Sequence, residues 1–241
     1  MERKIFLKKS LGLIGISAVV IDACKKDATG TNTGSDTGTT GDCIVTPTET
    51  EGPYPYPQGE INNPLNRADI TAGQTGVPLT LTLTVVNANN NCTAVNNARV
   101  DIWHCNKDGY YSGYANQNSA LGNKSYLGET WLRGYQLADA NGEVVFTTIY
   151  PGWYNGRATH IHFEVFVDNV LKKTSQLTFP DSVSDIVHVS SLYVAHGINT
   201  TRITGDNIFA NSATDLANET ATISGSVADG YKASLTIGIT L

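Results

Sequence analysis

Apolar and polar residues alternate along much of this chain, which indicates β-strands that bury one face. In residues 79–85, leucine and valine alternate with threonine, and such strict alternation is typical of a half-buried strand. Further runs typical of strands lie at residues 100–103, 144–146, 159–167 and 235–239. Glycine, asparagine and threonine interrupt most windows that could form a helix. The pattern therefore predicts an all-β chain, a β-sandwich of mainly antiparallel strands.

Turn residues indicate where some of these strands end. Asn141-Gly142 precedes the run at 144–146, and this dipeptide is a strong β-hairpin signal. Asp168-Asn169 follows the run at 159–167 and predicts a second turn. Residues 180–230 show weak periodicity, and we expect long loops there. About 200 residues are enough to bury one hydrophobic core, so a single domain over residues 43–241 is expected.

The N-terminal segment has a different composition. Arg3, Lys4, Lys8 and Lys9 precede an apolar run at 11–21, which is too short to span a bilayer comfortably as a mature helix. A basic head followed by a short apolar run is the layout of an export signal. Residues 1–23 are therefore predicted to be an export signal rather than part of the folded domain.

The cysteine that follows this signal predicts a lipid anchor. Ala23-Cys24 resembles the lipobox of bacterial lipoproteins, in which the cysteine is acylated. Residues 24–42 are rich in Thr, Gly and Asp, so they cannot bury enough apolar surface to order themselves and would form a flexible tether. The prediction is an exported protein, anchored through lipid on Cys24 and facing the periplasm or the cell exterior. A single uncleaved membrane anchor is the alternative and gives the same location.

The formal net charge of −6 argues against one class of partner. The sequence contains no basic patch and no nucleic-acid-binding motif, so nucleic acid is not expected to bind.

Histidines and tyrosines supply the candidate chemistry. His160 and His162 are two apart in a predicted strand, so their side chains share one face. Tyr154 and Arg157 precede them, and a second tyrosine cluster contains Tyr111. Tyrosine is a poor zinc ligand because its phenol pKa is about 10, whereas a trivalent cation stabilises the deprotonated phenol. Two phenolates and two neutral imidazoles suit non-haem Fe(III). Taken alone, the histidines also fit a polar surface pair, and Arg157 fits a surface salt bridge.

Several segments together resemble the intradiol ring-cleavage dioxygenases, which open catechols between their two hydroxyls. The matching segments occur in the family's order, and they lie at residues 46–54, 100–111, 132–134 and 149–162. The resemblance covers roughly residues 43–241 and is nearest to the secreted, single-domain branch of the family. It implies a β-sandwich with long loops around a metal site and no organic cofactor.

The resemblance also implies the roles of individual residues. The implied iron ligands are Tyr111, Tyr154, His160 and His162. Tyr110 and Tyr114 are alternatives to Tyr111, because a one-residue slip in the alignment would exchange neighbours.

Beside the ligands, the resemblance implies three catalytic residues. Tyr154 would accept a proton from the substrate, Arg157 would stabilise charge on the substrate ring, and Gln176 would lie near the oxygen pocket. Tyr54 and Tyr56 either line the pocket mouth or belong to an exposed proline-rich turn.

The remaining cysteines and histidines are expected to be structural. The secreted branch implies a Cys43–Cys92 disulfide, which leaves Cys105 as a buried free thiol; the alternative is that all three are unpaired. His104 is interpreted as a structural residue. His188 and His196 are interpreted as surface or loop residues.

The expected function is therefore that of a non-haem Fe(III) dioxygenase, which uses O2 to convert a catechol into a cis,cis-muconate-type product. Only Arg133 and Arg157 are candidate cationic residues that could bind a carboxylate group on the substrate, so uncharged catechols are favoured as substrates. A binding or structural sandwich without catalysis is the first alternative. A hydrolase that holds zinc at the histidines is the second, and the tyrosines argue against it.

Overall fold

The computed structural model of this protein describes residues 43–241. The predicted export signal, the tether and the acylation of Cys24 fall outside the described residues and stay predictions. None of the helices in the described part combines the length and apolarity that crossing a membrane requires.

The described residues form eleven strands and two short α-helices. The strands are β1 (Pro78–Asn87), β2 (Thr93–Ala94), β3 (Arg99–Trp103), β4 (Gln117–Ser119), β5 (Gly122–Lys124), β6 (Arg133–Leu137), β7 (Glu143–Ile149), β8 (His160–Val167), β9 (Val170–Thr178), β10 (Thr222–Ser226) and β11 (Gly230–Ile239). The helices are α1 (Asp181–His188) and α2 (Ala213–Glu219), with single 3₁₀ turns at Glu60–Asn62 and Ile203–Gly205.

Two larger sheets build the domain. The four-stranded sheet has the order β6-β3-β8-β9 and is antiparallel throughout. In the five-stranded sheet β10, β11 and β1 are neighbours, and β7 and β2 pair with the other edge of β1. The pairing of β1 with β11 is parallel, whereas its other pairings are antiparallel. β4 and β5 form a separate small ribbon.

The two sheets share one hydrophobic core. The leucines of β1 are buried while the threonines between them are half-buried, as the alternation predicts. Ile161, Phe163 and Val165 of β8 are fully buried in the same core. Burying a side chain of this size stabilises the fold by about 1.5–3 kcal/mol. The predicted β-sandwich is confirmed.

One of the two predicted turns joins strands that do not pair with each other. Gly142 donates its N–H to the Asp139 carbonyl at 3.0 Å and has φ +77°, so the turn exists. However, β6 pairs with β3 and β7 pairs with β1. The hairpin prediction at Asn141-Gly142 is therefore wrong, because this turn carries the chain from one sheet to the other.

The turn at Asp168-Asn169 is a true hairpin. Both residues have positive φ, 53° and 62°, which suits the twist of two paired strands. β8 and β9 pair directly across it.

The segment 180–230 is more regular than its sequence indicates. Helix α1, helix α2 and strand β10 lie within it, although the long connection between the helices is as expected. The Ser212 hydroxyl accepts the N–H of Asp215 at 3.0 Å and caps α2. The Cys43–Cys92 disulfide is present, and Cys105 is a buried free thiol.

Candidate metal centre

The outer face of the four-stranded sheet carries the centre, because strand register places the relevant side chains in one row. Trp103 of β3 is opposite His162 of β8, and His162 is opposite Gln176 of β9. Residues opposite each other in a sheet project from the same face. The imidazole of His162 stacks on the indole of Trp103, with centroids 5.1 Å apart and planes inclined by 5°. The predicted shared face of His160 and His162 is thus observed.

Three donor atoms converge on this face. The Nε2 atoms of His160 and His162 are 3.0 Å apart, and Tyr111 Oη lies 3.3 Å from the first and 3.2 Å from the second. All three residues are buried. Ligands that share one ion with bonds of about 2.1 Å lie about 3.0–3.4 Å from each other. The spacing of the three atoms therefore fits a common metal ion.

The surroundings orient one histidine as a ligand. His160 Nδ1 lies 2.6 Å from the carbonyl oxygen of Ala158. A carbonyl only accepts, so Nδ1 carries the hydrogen and Nε2 presents a lone pair to the centre. Burial, aided by the charge of Arg157, lowers the pKa of His160 to about 3, which keeps the imidazole neutral. Burial and the neighbouring His160 hold the pKa of His162 well below its usual value.

Two hydrogen bonds with one glutamine hold the backbone of Tyr111. Its backbone N–H donates to Gln117 Oε1 at 2.6 Å, and Gln117 Nε2 donates to its carbonyl at 2.7 Å. The ring of Tyr54 stacks on that of Tyr111 with centroids 4.6 Å apart. Burial raises the pKa of Tyr111 well above its usual value. The Tyr111 phenol thus keeps its proton unless a bound cation takes the place of that proton.

The two alternative tyrosines are engaged elsewhere. The hydroxyl of Tyr110 donates to the carbonyl of Gly122, and that of Tyr114 donates to the carbonyl of Pro55, each at 2.7 Å. Of the three candidates, the structure brings Tyr111 to the histidines.

Tyr154 lies beside the three converging atoms. Its ring centroid is 5.4 Å from that of His160 and 5.9 Å from that of Tyr111. Its hydroxyl accepts a hydrogen bond from Arg157 Nη1 at 3.4 Å. Burial raises the pKa of Tyr154 to about 12, and the charge of Arg157 opposes that shift.

Arg157 is not a surface residue but the centre of a buried polar network. Its Nε donates to Asp206 Oδ2 at 2.9 Å, and its Nη2 donates to Gln176 Oε1 at 2.7 Å. Gln176 Nε2 donates in turn to the carbonyl of Thr50 at 2.9 Å. The structure thus joins the two sequence-predicted residues, Arg157 and Gln176, and adds Asp206. Asp206 lies in the weakly patterned segment 180–230, where no local sequence signal marks it.

Arg133 connects the segments that carry two of the tyrosines. It is buried; its Nε donates to the Ser112 hydroxyl at 3.0 Å, and its Nη2 donates to the carbonyls of Ser112 and Tyr54 at 2.9 and 2.8 Å. Through these hydrogen bonds Arg133 holds together the backbone at Tyr54 and the backbone at Ser112, next to Tyr111.

The other histidines are all buried. His104 contacts the carbonyl of Cys105 at 2.8 Å and the Thr148 hydroxyl at 2.7 Å, so its structural role is confirmed. His188 and His196 are only 1% and 7% exposed, so neither lies on the surface. His196 is a loop residue as predicted, whereas His188 belongs to helix α1. Helix α1 and the turn after it fold them inward. Across residues 43–241, no three His, Cys, Asp or Glu side chains form a group that could hold a metal.

Two histidine nitrogens and a tyrosine oxygen thus converge on the outer face of one sheet of a β-sandwich, in an arrangement that could hold a non-haem metal ion. A family model described as Dioxygenase matches residues 50–212, more than half of the chain. The chain therefore belongs to the intradiol ring-cleavage dioxygenase family.

Known dioxygenases are similar to this chain in sequence and in fold. The chain is 28% identical to an intradiol ring-cleavage dioxygenase from Tetranychus urticae, with a TM-score of 0.71 over 82% of this chain and 95% of that one. It is 27% identical to catechol 1,2-dioxygenase 1 from Acinetobacter lwoffii over 54% of this chain, and it spans only 45% of that enzyme. The dioxygenase domain of a carbohydrate-binding fusion protein from Streptomyces sp. SirexAA-E shares the fold, with a TM-score of 0.59 at 23% identity over 82% of this chain and 99% of that one.

Proposed function

We propose that this protein is a non-haem Fe(III) dioxygenase that cleaves the ring of a catechol between its hydroxyls with O2, giving a cis,cis-muconate-type product. The observation that carries the proposal is the convergence of Tyr111 Oη with two histidine Nε2 atoms within 3.3 Å. The chain's membership of the intradiol family supports the same function.

The donor set fits ferric iron. Tyr111, His160 and His162 would bind it, and Tyr154 would complete the set from its adjacent position. Hard phenolate oxygens suit a trivalent ion, because its charge replaces the phenol proton that burial otherwise retains. When bound, the iron would act as a Lewis acid and template that activates the diol for reaction with O2.

The chain's own residues have distinct roles in this proposal. The Tyr154 oxygen, which would be deprotonated when the iron is bound, would accept a proton from one substrate hydroxyl. Arg157 Nη1 lies 3.4 Å away and stabilises this deprotonated form before the proton arrives. Arg157 also stabilises the negative charge that develops on the ring. Gln176 accepts a hydrogen bond from Arg157 Nη2, and its own amide donates to the Thr50 carbonyl. Gln176 is therefore fixed beside Arg157, where we place the pocket that receives O2.

The two arginines near the site already have partners within the protein, which supports an uncharged catechol as the substrate. Arg157 is paired with the carboxylate of Asp206 at 2.9 Å, and Arg133 is buried and bonded to backbone carbonyls. Arg157 is therefore already neutralised, and the one Arg133 donor without a partner among the described residues, Nη1, is buried, so neither cation is presented to a substrate carboxylate. The similar enzyme from Acinetobacter lwoffii is named for catechol itself, which agrees with this choice.

A purified, iron-loaded sample tests the proposal with one substitution and a matched control. A phenolate bound to ferric iron gives a visible absorption band, whereas a zinc site is colourless. Tyr111→Phe should remove or shift this band and abolish catechol-dependent O2 uptake. Tyr110→Phe removes a neighbouring buried phenol whose hydroxyl contacts Gly122, and both signals should survive. A colourless wild type that binds zinc, or equal losses in the two variants, would reject the assignment.

We also propose that the protein is exported and tethered by lipid on Cys24. The basic head, the short apolar run and Ala23-Cys24 support this proposal. Labelling of growing cells with a palmitate analogue should mark the full-length wild type and not Cys24→Ser. Equal labelling of both, or of neither, contradicts it.

A further inference from the structure

Asp206 is a fully buried carboxylate at the edge of the candidate centre. It follows the 3₁₀ turn at Ile203–Gly205 and is distant in sequence from every residue that it supports in the centre. Its Oδ2 accepts Arg157 Nε at 2.9 Å and the N–H of Ala158 at 2.6 Å. One oxygen atom therefore fixes both the side chain of Arg157 and the backbone next to it.

The first consequence is a fixed direction for the Arg157 guanidinium. The group is planar and carries its donors in a rigid fork. With Nε on Asp206 and Nη2 on Gln176, the remaining Nη1 is directed at the Tyr154 hydroxyl. The ring of Phe209 lies 5.7 Å from the guanidinium carbon.

The second consequence is a link to one of the histidines. Ala158 donates its N–H to Asp206, and its carbonyl oxygen lies 2.6 Å from His160 Nδ1. The Ala158 peptide units thus relay the position of Asp206 to the imidazole. A carbonyl that fixes the outer nitrogen of a ligating histidine sets its tautomer and ring orientation.

Asp206 is itself held in place before any ligand binds. Its Oδ1 accepts the N–H groups of Ile208 at 2.8 Å and Phe209 at 3.4 Å. Both carboxylate oxygens are therefore occupied by donors from the protein, so the side chain has no freedom to reorient.

From this geometry we propose that Asp206 is a positioning residue, which directs Arg157 at the Tyr154 hydroxyl and sets the orientation of His160. The inference rests on the proposed function, since the residues that it positions are those of the proposed dioxygenase centre. Asp206 touches neither a donor atom of the centre nor, in this proposal, the substrate.

The test is a double-variant cycle on the iron-loaded protein. Asp206→Asn should lower kcat/KM for catechol by about 10- to 100-fold per bound iron, as loss of a ligand-orienting partner typically does. Because part of the effect of Asp206 runs through Arg157, adding Asp206→Asn to Arg157→Gln should lower kcat/KM by clearly less than the same change does in the wild type, since interacting residues are not additive. The loss that remains measures the link through Ala158 to His160.

The matched control is the exposed ion pair of Arg202 with Asp185, 2.7 Å apart. Asp185→Asn makes the same chemical change in an arginine–aspartate pair that has no part in the proposed centre. The kcat/KM of this variant should stay within about twofold of the wild type. Losses that multiply in the double variant, or an Asp206→Asn enzyme that keeps wild-type kcat/KM, would overturn the inference.

A second readout separates this inference from the proposed function. In ¹⁵N spectra of the metal-free protein, the Nε–H of Arg157 should be protected from solvent exchange in the wild type and in Asp185→Asn, and exposed in Asp206→Asn. If the wild type binds iron but turns over no catechol, the proposed function fails while this protection still decides the role of Asp206. Equal exchange in all three proteins contradicts the positioning role.

Discussion

Gly52 allows a sharp test of the centre, because a single added methyl group would collide with a proposed ligand. A Cβ built on Gly52 would lie 2.6 Å from His162 Cε1, whereas ordinary van der Waals contact begins at 3.4 Å. Relief of the contact requires a relative movement of about 0.8 Å, the difference between these distances. The imidazole has little room to move away, since it stacks on the buried indole of Trp103.

The Gly52→Ala variant should therefore lose function more than stability. Gly52 has φ +72°, a left-handed conformation that costs an alanine about 1–2 kcal/mol. A misplacement of about 1 Å in a reacting group can lower the rate on the order of 100-fold. We expect iron affinity and kcat/KM for catechol to fall by about 10- to 100-fold.

Gly73 supplies the matched control. It has φ +82°, and a Cβ there would meet no atom within 4 Å, so Gly73→Ala carries the backbone cost without the collision. Both variants should lose a few degrees of unfolding temperature for the same backbone reason. Iron titration, the visible absorption band and steady-state kinetics then isolate the effect on His162. If Gly52→Ala binds iron and turns over catechol as well as Gly73→Ala does, the placement of His162 in the centre is wrong.

Three further predictions follow from other parts of the structure. Reduction of the Cys43–Cys92 disulfide, which closes a loop of about 50 residues, should destabilise the fold by up to about 4 kcal/mol; calorimetry with and without a reductant measures this, and equal unfolding temperatures contradict it. Glu219 is fully buried, and burial raises its pKa to about 8 from 4.5, although a contact with Ser175 opposes the shift. The folded state thus favours the protonated form, stability falls as pH rises from about 4.5 through 8, and Glu219→Gln should raise the unfolding temperature at pH 9 but not at pH 4; equal shifts at both pH values contradict this. Because Asp206 pairs with Arg157, kcat/KM for catechol should exceed that for a carboxylated catechol by at least about tenfold, and the reverse preference in a substrate panel would reject the substrate assignment.

Much of the site was visible in the sequence because its signals are local. The spacing of His160 and His162 places them on one strand face whatever the rest of the chain does, since successive side chains in a strand alternate. The same period predicts the buried leucines of β1. The sequence and its family resemblance likewise indicated Tyr111, Tyr154, Arg157 and Gln176 as members of one site.

Other features depended on contacts between distant segments. Asn141-Gly142 specifies a turn, but which strand pairs with β7 depends on how the two sheets stack. Histidines 188 and 196 became buried because helix α1 packs inward. Asp206 has no local pattern, and it reaches Arg157 only when the connection between the helices folds over the sheet.

The sequence by itself determined the principal strands (β1, β3, β7, β8 and β11), the faces of their side chains and the residue types available for an iron centre, because each of these follows from short-range periodicity and composition. Tertiary structure alone decided which tyrosine among neighbours meets the histidines, and which carboxylate neutralises Arg157. Convergence of side chains within 3.3 Å is set by strand register and loop packing between segments far apart in the chain. No local pattern of residues encodes such distances.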